Sequence, residues 1–258
     1  MNNTNCIAII PARYSSSRFP GKPLAILSGK PIIEHVYQRV SDVIDNVYVA
    51  VDDYRIFDCV ESFGGKAIMT SPHHKSGTDR VAEAYRNIGK HFDVVINVQG
   101  DEPFIHKEQI KALIDCFDIK GTDIATIVKP FSANDNIDAL FNPNTPKVAV
   151  AKDMKALYFS RSVIPYIRGV NQTDWPASHT FYKHIGIYGF RSDVLQKITS
   201  LPQSTLEKAE SLEQLRWLEN GYSIRVAINN FETVGIDTPK DLKRAELYLD
   251  KNHNNIKP

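Results

Sequence analysis

No apolar run in this sequence approaches the roughly 20 residues that a membrane-spanning helix requires, so no helical span is expected. Cysteine is scarce. Cys6, Cys59 and Cys116 are far apart, form no CxxC pair and sit in or beside apolar runs, which reads as buried reduced thiols and excludes a disulfide framework or a zinc site. Net charge is equally low. A formal +1 over 258 residues gives no global field to recruit nucleic acid or an anionic membrane, so any anion site must be local. The N-terminus, MNNTNCIAII, has no basic region ahead of its first apolar run, so no signal peptide is expected and the expected compartment is the cytosol. Two nucleotide fingerprints are also missing. Neither the Walker A pattern GxxxxGK[ST] nor GxGxxG occurs, and the lack of GxGxxG argues against a nicotinamide or flavin fold.

What is present begins at IIPARYSSSRFPGK, Ile9 to Lys22, where an apolar run from Cys6 to Ile10 breaks into a loop. A strand feeding such a loop gathers backbone N–H groups, Arg13, Arg18 and Lys22 around one concave spot, the arrangement that holds a polyanion such as a triphosphate. Gly21 lets the backbone turn tightly or approach a ligand. The competing reading is a solvated surface loop with incidental basic residues. Downstream, Pro31 to Ser41 reads as a helix on the spacing of Ile32, Ile33, Val36, Tyr37 and Val40. Asn46 to Val51 reads as a strand, Tyr54 to Phe63 as a helix, and Lys66 to Met69 as a third strand. This alternation is that of a parallel sheet flanked by helices, and the length suits one α/β domain, alone or with a small appendage.

The loop SPHHKSGTDR, Ser71 to Arg80, precedes a helix over Val81 to Ile88 and presents Gly77 and a helix start to polar ligand edges. His73 and His74 lack a carboxylate or cysteine partner at ligand spacing, which is a weak metal pattern. Val94 to Val98 is an almost continuous apolar run, expected of a central parallel strand. It delivers Asp101 and Glu102 to a carboxyl strand end, where ligands of open α/β sheets collect. Asp101 is a candidate Mg²⁺ ligand, against the alternative of a turn or cap residue, and Glu102 is expected to face away or brace the turn. Glu108 to Phe117 reads as a helix and Ile124 to Val128 as a strand. From Lys129 to Thr145 the chain reads as loop with a helical turn at Ile137 to Phe141. Lys147 to Ala151 and Ala156 to Ser160 read as a hairpin. Gly169 to Thr180 reads as a loop or flap, and Lys183 to Phe190 as a strand with His184, Gly186, Tyr188 and Phe190 on one side. Leu206 to Tyr222 reads as one amphipathic helix striped by Leu212, Leu215 and Leu218, with Glu210, Glu213 and Gln214 on its polar side. Ile224 to Ile228 reads as the last strand. Thr238 and Pro239 suit the start of a C-terminal helix, which Asp237 could also cap.

PARYSSSRFPGKPL resembles the N-terminal signature of the CMP-Kdo synthetases, cytidylyltransferases that activate the sugar acid 3-deoxy-manno-octulosonate (Kdo). SGTDR, VQGDEP, FSRSVIPY, LEQLR and GIDTP are further matches, so the resemblance covers nearly the whole chain. It implies an open, mostly parallel sheet flanked by helices, Rossmann-like and of the nucleotide-diphospho-sugar transferase type. A small antiparallel sheet and a dimerisation and sugar-binding subregion are implied at about 129–190. It implies a nucleotide site at Pro11, Ala12, Arg13, Ser16, Arg18, Lys22, Ser76, Gly77 and Gln99. It implies sugar contacts at Arg80, Gln99, Arg161, His184, Tyr188, Glu213 and Gln214, although Arg161 reads equally well as a structural or interface arginine. Lys75 departs from the uncharged residue of some relatives.

The implied reaction is attack of the anomeric hydroxyl of Kdo on the α-phosphorus of CTP, giving CMP-Kdo and diphosphate for lipopolysaccharide or capsule assembly. Lys22, Arg13 and Arg18 are the implied phosphate electrophiles. Asp101 and Asp237 are the implied Mg²⁺ ligands, with a second Mg²⁺ carried mainly by the triphosphate. A homodimer is implied. The rival readings are a cytidylyltransferase for 8-amino-Kdo or a sialic acid, and a non-catalytic nucleotide- or sugar-binding regulator, which would have no need of both aspartates.

Overall fold

The opening apolar run forms β1 (Cys6–Ala12), with Ile7, Ala8, Ile9 and Ile10 fully buried. The computed structural model describes residues 4–132, 136–231 and 235–254. Parts of three sequence readings lie outside the described residues: residues 1–3 of the N-terminus, residues 133–135 of the loop after Lys129, and residues 232–234 ahead of GIDTP. The chain divides into two compact units, Asn5–Ile110 with Thr233–Pro258, and Met1–Thr4 with Lys111–Glu232.

In the unit that holds β1, the chain continues through β2 (Ile26–Leu27), β3 (Lys30–Pro31), α1 (Ile32–Ser41), β4 (Val47–Val51), α2 (Tyr54–Ser62), β5 (Ala67–Met69), α3 (Gly77–Ile88) and β6 (Val94–Asn97). Strands β6, β1, β4 and β5 run in that order, all parallel. Register pairs Ala12 with Val51 and Ile9 with Asn97, so the loops after β1, β4 and β6 leave from the same end of the sheet. Ala50, expected on the side opposite Val49, is buried with it, as in a parallel strand covered on both faces. β2 and β3 form a small antiparallel pair, which places Pro31 in a strand, one residue ahead of the helix it was expected to begin. α3 starts at Gly77, earlier than Val81, because the Ser76 side chain accepts the Asp79 N–H as an N-cap.

The other unit follows α4 (Lys107–Asp115), a helix whose sequence spans the division. It contains β7 (Ile124–Pro130), α5 (Ile137–Phe141), β8 (Lys147–Val150), β9 (Ala156–Ser160), α6 (Trp175–Ser178), β10 (Tyr182–Arg191), α7 (Ser192–Ile198), α8 (Thr205–Glu210), α9 (Glu213–Glu219) and β11 (Ile224–Ile228). β7 pairs with β11 in parallel and with β10 antiparallel, and β8 joins β10 and β9 antiparallel. The β8–β9 hairpin turns through Met154 at φ 64°. The β7–β10 ladder is interrupted by a bulge between Ile185 and Tyr188. After this unit the chain returns to the first with α10 (Pro239–Asn254). Among the described residues no helix is long and apolar enough to cross a membrane.

Three sequence expectations change. The stretch from Gly169 to Thr180 is not a free flap. Trp175 is 2 % exposed, donates its indole N–H to the Val170 carbonyl and packs with Leu140 and Phe181. The single helix over Leu206 to Tyr222 is two. Ser211 adopts φ 51° and ends α8, and α9 begins after Leu212. A serine in the left-handed region carries no glycine or proline signal, which is why the leucine spacing reads straight through it. The cysteines are free, as expected, but only Cys116 is buried, and burial pushes its thiol up to about 11.

α8 is a short helix that relies on its cap. Ser204 accepts the Glu207 N–H while Glu207 reaches back to the Ser204 N–H. Ser204→Ala is expected to lower stability by about 1 kcal/mol. Urea unfolding measures this, and an unchanged midpoint would show that the box contributes nothing.

Candidate active site

Beyond Ala12 the basic loop is folded back onto its own unit. The Tyr14 N–H donates to Asp52 Oδ1 at 2.9 Å, and the Gly21 N–H donates to the Tyr14 carbonyl at 2.9 Å. Gly21 takes φ 68°, and a Cβ there would press on the Tyr14 ring at 3.3 Å, so glycine meets both a conformational and a space requirement. The Tyr14 ring also carries a cation: the Arg55 guanidinium lies 3.4 Å from the ring centroid. The turn delivers Lys22 at the start of a short 3-10 helix, Lys22–Leu24.

Lys22 Nζ lies 2.5 Å from Asp101 Oδ2 and 3.2 Å from Asp237 Oδ1, and Arg18 approaches Asp237 at 3.1 Å. Asp101 follows β6 and Asp237 precedes α10. Asp237 does not cap that helix. The Thr238 hydroxyl accepts the Asp241 N–H instead, which leaves the Asp237 carboxylate turned to the cations. A backbone bond from the Ile236 N–H to the Asp101 carbonyl holds the two acidic segments together. Gly100 lets the segment after β6 lie close against the end of β1, since a Cβ there would meet the Pro11 carbonyl oxygen at 2.8 Å. Glu102 is different in kind. Its Oε2 is buried without a partner, and burial, with the neighbouring Asp101 charge, pushes its carboxyl up to about 8. At neutral pH that shift favours its uncharged acid.

These groups line a cavity of about 300 Å³, near the lower end of ligand-site sizes. Pro11, Ala12, Arg13, Ser16, Arg18, Lys22, Ser76, Gly77, Arg80, Gln99, Asp101 and Asp237 all lie on its wall. His74, Lys75 and Gly100 also line it and had not been assigned a site role. His74 is held by the Glu83 carboxylate of α3, which also accepts the Ser71 N–H at 3.0 Å. That partner is nine residues further on, outside the local spacing a metal pattern considers. Arg80 is 3 % exposed and donates to Thr70 Oγ1 at 2.8 Å and Asp52 Oδ2 at 2.9 Å. Asp52 thus joins Arg80 to the Tyr14 backbone, so the arginine braces the basic loop as well as facing the cavity.

The remaining candidates lie in the other unit. His184 Nε2 is 3.0 Å from Thr126 Oγ1, and its ring lies 5.2 Å from Phe159 and 5.3 Å from Tyr188. Burial holds the His184 imidazole down at about 3, so it is neutral at pH 7. Burial, then the Glu213 charge, raises the Tyr188 phenol, which stays protonated. Tyr188 also contacts Trp217, at 5.1 Å. Gln214 is 4 % exposed, and its Nε2, like the Trp217 Nε1, is a buried donor without a partner. Such donors are costly unless a ligand or water meets them, which suits a polyhydroxylated substrate. Glu213 accepts from Arg216 at 2.8 Å. Arg161 has the structural use of the two considered: its Nε, Nη1 and Nη2 donate to the carbonyls of Glu210, Pro143 and Ser211. Glu210, expected on a solvated face, accepts from the Ser160 hydroxyl and the Arg161 N–H.

A basic, strand-end cavity with a paired carboxylate cluster defines a nucleotidyl-transfer type of site. The chain belongs to the cytidylyltransferase family, whose model matches residues 7–227, and within it to the 3-deoxy-manno-octulosonate cytidylyltransferases. It is 62% identical over 243 residues to the 3-deoxy-manno-octulosonate cytidylyltransferase of Phocaeicola vulgatus, covering 94% of this chain and 96% of that one. The protein of that name from Thermodesulfovibrio yellowstonii is 51% identical over 251 residues, covering 94% and 97%. Among solved structures, CMP:2-keto-3-deoxy-manno-octonic acid synthetase complexed with CTP superposes with a TM-score of 0.88 at 42% identity, covering 96% of this chain and 100% of that one. The 4-diphosphocytidyl-2C-methyl-D-erythritol synthase of Anaerococcus prevotii, at 15% identity and a TM-score of 0.60, shares the fold.

The Arg80–Asp52 pair gives a stability prediction. Both side chains are under a tenth exposed, so Asp52→Asn leaves a buried guanidinium without its counter-charge. A loss of about 3 kcal/mol is expected. Urea unfolding checks it, and a loss below about 1 kcal/mol, the range of an exposed pair, would show that the pair is solvated.

Proposed function

We propose that this protein transfers a cytidylyl group from CTP to Kdo, releasing diphosphate and forming CMP-Kdo, the activated sugar acid for lipopolysaccharide assembly. The observation that carries the reading is the convergence of Lys22, Asp101 and Asp237 in a cavity that also holds Arg13 and Arg18. A new bond forms between the anomeric oxygen and the α-phosphorus as the bond from that phosphorus to the oxygen bridging to the β-phosphate breaks, and the proton of the anomeric hydroxyl passes to solvent. Arg13, Arg18 and Lys22 neutralise the triphosphate and stabilise the departing diphosphate. Ser76, Gly77, Gln99 and the Pro11–Ala12 backbone are read as nucleoside contacts, and Arg80 as facing the sugar carboxylate. His184, Tyr188, Glu213 and Gln214 are read as contacts for the sugar.

Mg²⁺ is part of the proposal. Among the described residues no cluster of three or more His, Cys, Asp or Glu side chains could hold a metal by itself. Mg²⁺ does not need one, because it prefers one or two carboxylates with phosphate oxygens and water. Asp101 and Asp237, drawn to a single ammonium, fit that demand. When bound, the ion supplies a Lewis acid for phosphate oxygens and lowers the pKa of the attacking hydroxyl. The chain itself offers the two carboxylates, kept together by Lys22, and no side-chain base is required of it. The homodimer is proposed on the same resemblance, and the cytoplasmic site on the sparse, unbridged cysteines. Exposed Leu157 and Tyr166, 64% and 72% accessible, support a self-contact, and sedimentation equilibrium reading a monomer would remove it.

Asp101→Asn and Asp237→Asn are each expected to abolish turnover with the melting temperature retained. Normal activity in either would remove that residue as an essential ligand. Lys22→Ala is expected to lower kcat on the order of 100-fold, the effect of losing one transition-state charge contact. Diphosphate release with CTP and Mg²⁺, compared across Kdo, 8-amino-Kdo, N-acetylneuraminate and no sugar, tests the substrate. Release with another acid only would move the substrate, and CTP binding without release would favour a regulator.

A further inference from the structure

Three groups meet at the hydroxyl of Thr126. The residue is fully buried on β7, and its Oγ1 lies 2.8 Å from the Ile187 carbonyl oxygen, 3.2 Å from that of Ile185 and 3.0 Å from His184 Nε2. The two carbonyls flank the bulge of β10, where the ladder to β7 is interrupted and backbone acceptors lose their strand partners. A hydroxyl has one proton, and a carbonyl oxygen can only accept. The proton therefore goes to the bulge, with Ile187 the nearer acceptor. What Oγ1 turns to the imidazole is a lone pair.

That fixes the ring. An unprotonated Nε2 at 3.0 Å would set lone pair against lone pair inside the protein, so Nε2 must carry the hydrogen and donate to Thr126. The imidazole is neutral, enclosed by the rings of Phe159 and Tyr188. Its other nitrogen, Nδ1, is then an acceptor. The acceptors of Thr126 and Ile187 are thus met within the protein, while His184 keeps an unshared electron pair.

We propose that Thr126 is a positioning residue that locks His184 in the Nε2–H tautomer, so that Nδ1 accepts a hydrogen bond from a hydroxyl of the sugar acid. The inference rests on the reading of His184 as a sugar contact and deepens it by stating which partner chemistry the ring can take: a donor hydroxyl, not an acceptor. One buried oxygen sets both the backbone of the bulge and the hydrogen-bonding sense of the histidine beside it.

The test begins without substrate. Imidazole ¹⁵N shifts of the free protein at pH 7, with His184 assigned through His184→Gln, are expected to show a protonated Nε2 and an unprotonated Nδ1. Thr126→Val removes the oxygen while keeping the branched shape. It is expected to mix the tautomers and to raise KM for Kdo on the order of 10-fold, the loss of one neutral hydrogen bond, with KM for CTP unchanged. Thr126→Ser retains the hydroxyl and is expected to restore both readouts. A protonated Nδ1 in the native protein overturns the proposal. So does an unchanged spectrum in the valine variant, or an unchanged KM for Kdo once the tautomer is lost. If the valine variant does not fold, the native and serine spectra decide, and a protonated Nδ1 in either overturns it. Native protein that shows the Nε2–H pattern but turns over no Kdo would sink the substrate reading, and with it the sugar hydroxyl, separately from the tautomer.

Discussion

The contact on which the cavity-bearing unit depends is the ammonium of Lys22 between two carboxylates, Asp101 and Asp237, 79 and 215 residues away in sequence. Two anions at one end of a sheet repel each other, and a cation placed between them turns that repulsion into attraction. Lys22 is held for the task by a chain of further contacts. Gly21 permits the turn, the Tyr14 N–H anchors the loop to Asp52, and Asp52 is fixed by the buried Arg80, which also bonds Thr70. Lys22, Gly21 and Tyr14 come from the loop after β1, Asp52 from that after β4, Asp101 from that after β6, and Thr70 and Arg80 from beyond β5. The parallel register of β1, β4 and β6 is what brings those loops to one end.

The same cluster suggests how binding and chemistry are linked. Lys22 occupies the place where positive charge is wanted when no nucleotide is present, and it does so at 13% side-chain exposure, where screening is weak. An anion entering the cavity would meet cations already aimed by carboxylates. It does not have to order a loose basic loop, so less conformational freedom is lost on binding. In the other unit the strategy differs. Apolar rings surround a few neutral polar groups, and Thr126, His184, Gln214 and Trp217 offer directional hydrogen bonds in place of charge. Neutral directional groups suit hydroxyls, and dense charge suits phosphates.

Much of this was legible in the linear chain. The apolar run Val94–Val98 marks a central strand and Cys6–Ile10 a strand feeding the basic loop, and residues that follow both line the cavity. The pattern misled where local signals are weak. Ser211 breaks a helix without glycine or proline. Trp175 pins a polar stretch that composition alone marked as loose. Arg161, an arginine in a family motif, gives its guanidinium to three carbonyls of its own unit. His74 gained meaning only from Glu83.

The sequence by itself determined the element types, the cations and carboxylates at the strand ends, and the family to which those motifs belong, because hydrophobic period and short motifs are local properties. The tertiary structure alone decided which charges meet, which arginines are already engaged, and which nitrogen of His184 carries the hydrogen. Those facts depend on distances between residues such as Thr126 and His184, 58 positions apart, and hydrogen bonds and ion pairs form only once folding has made such distances short.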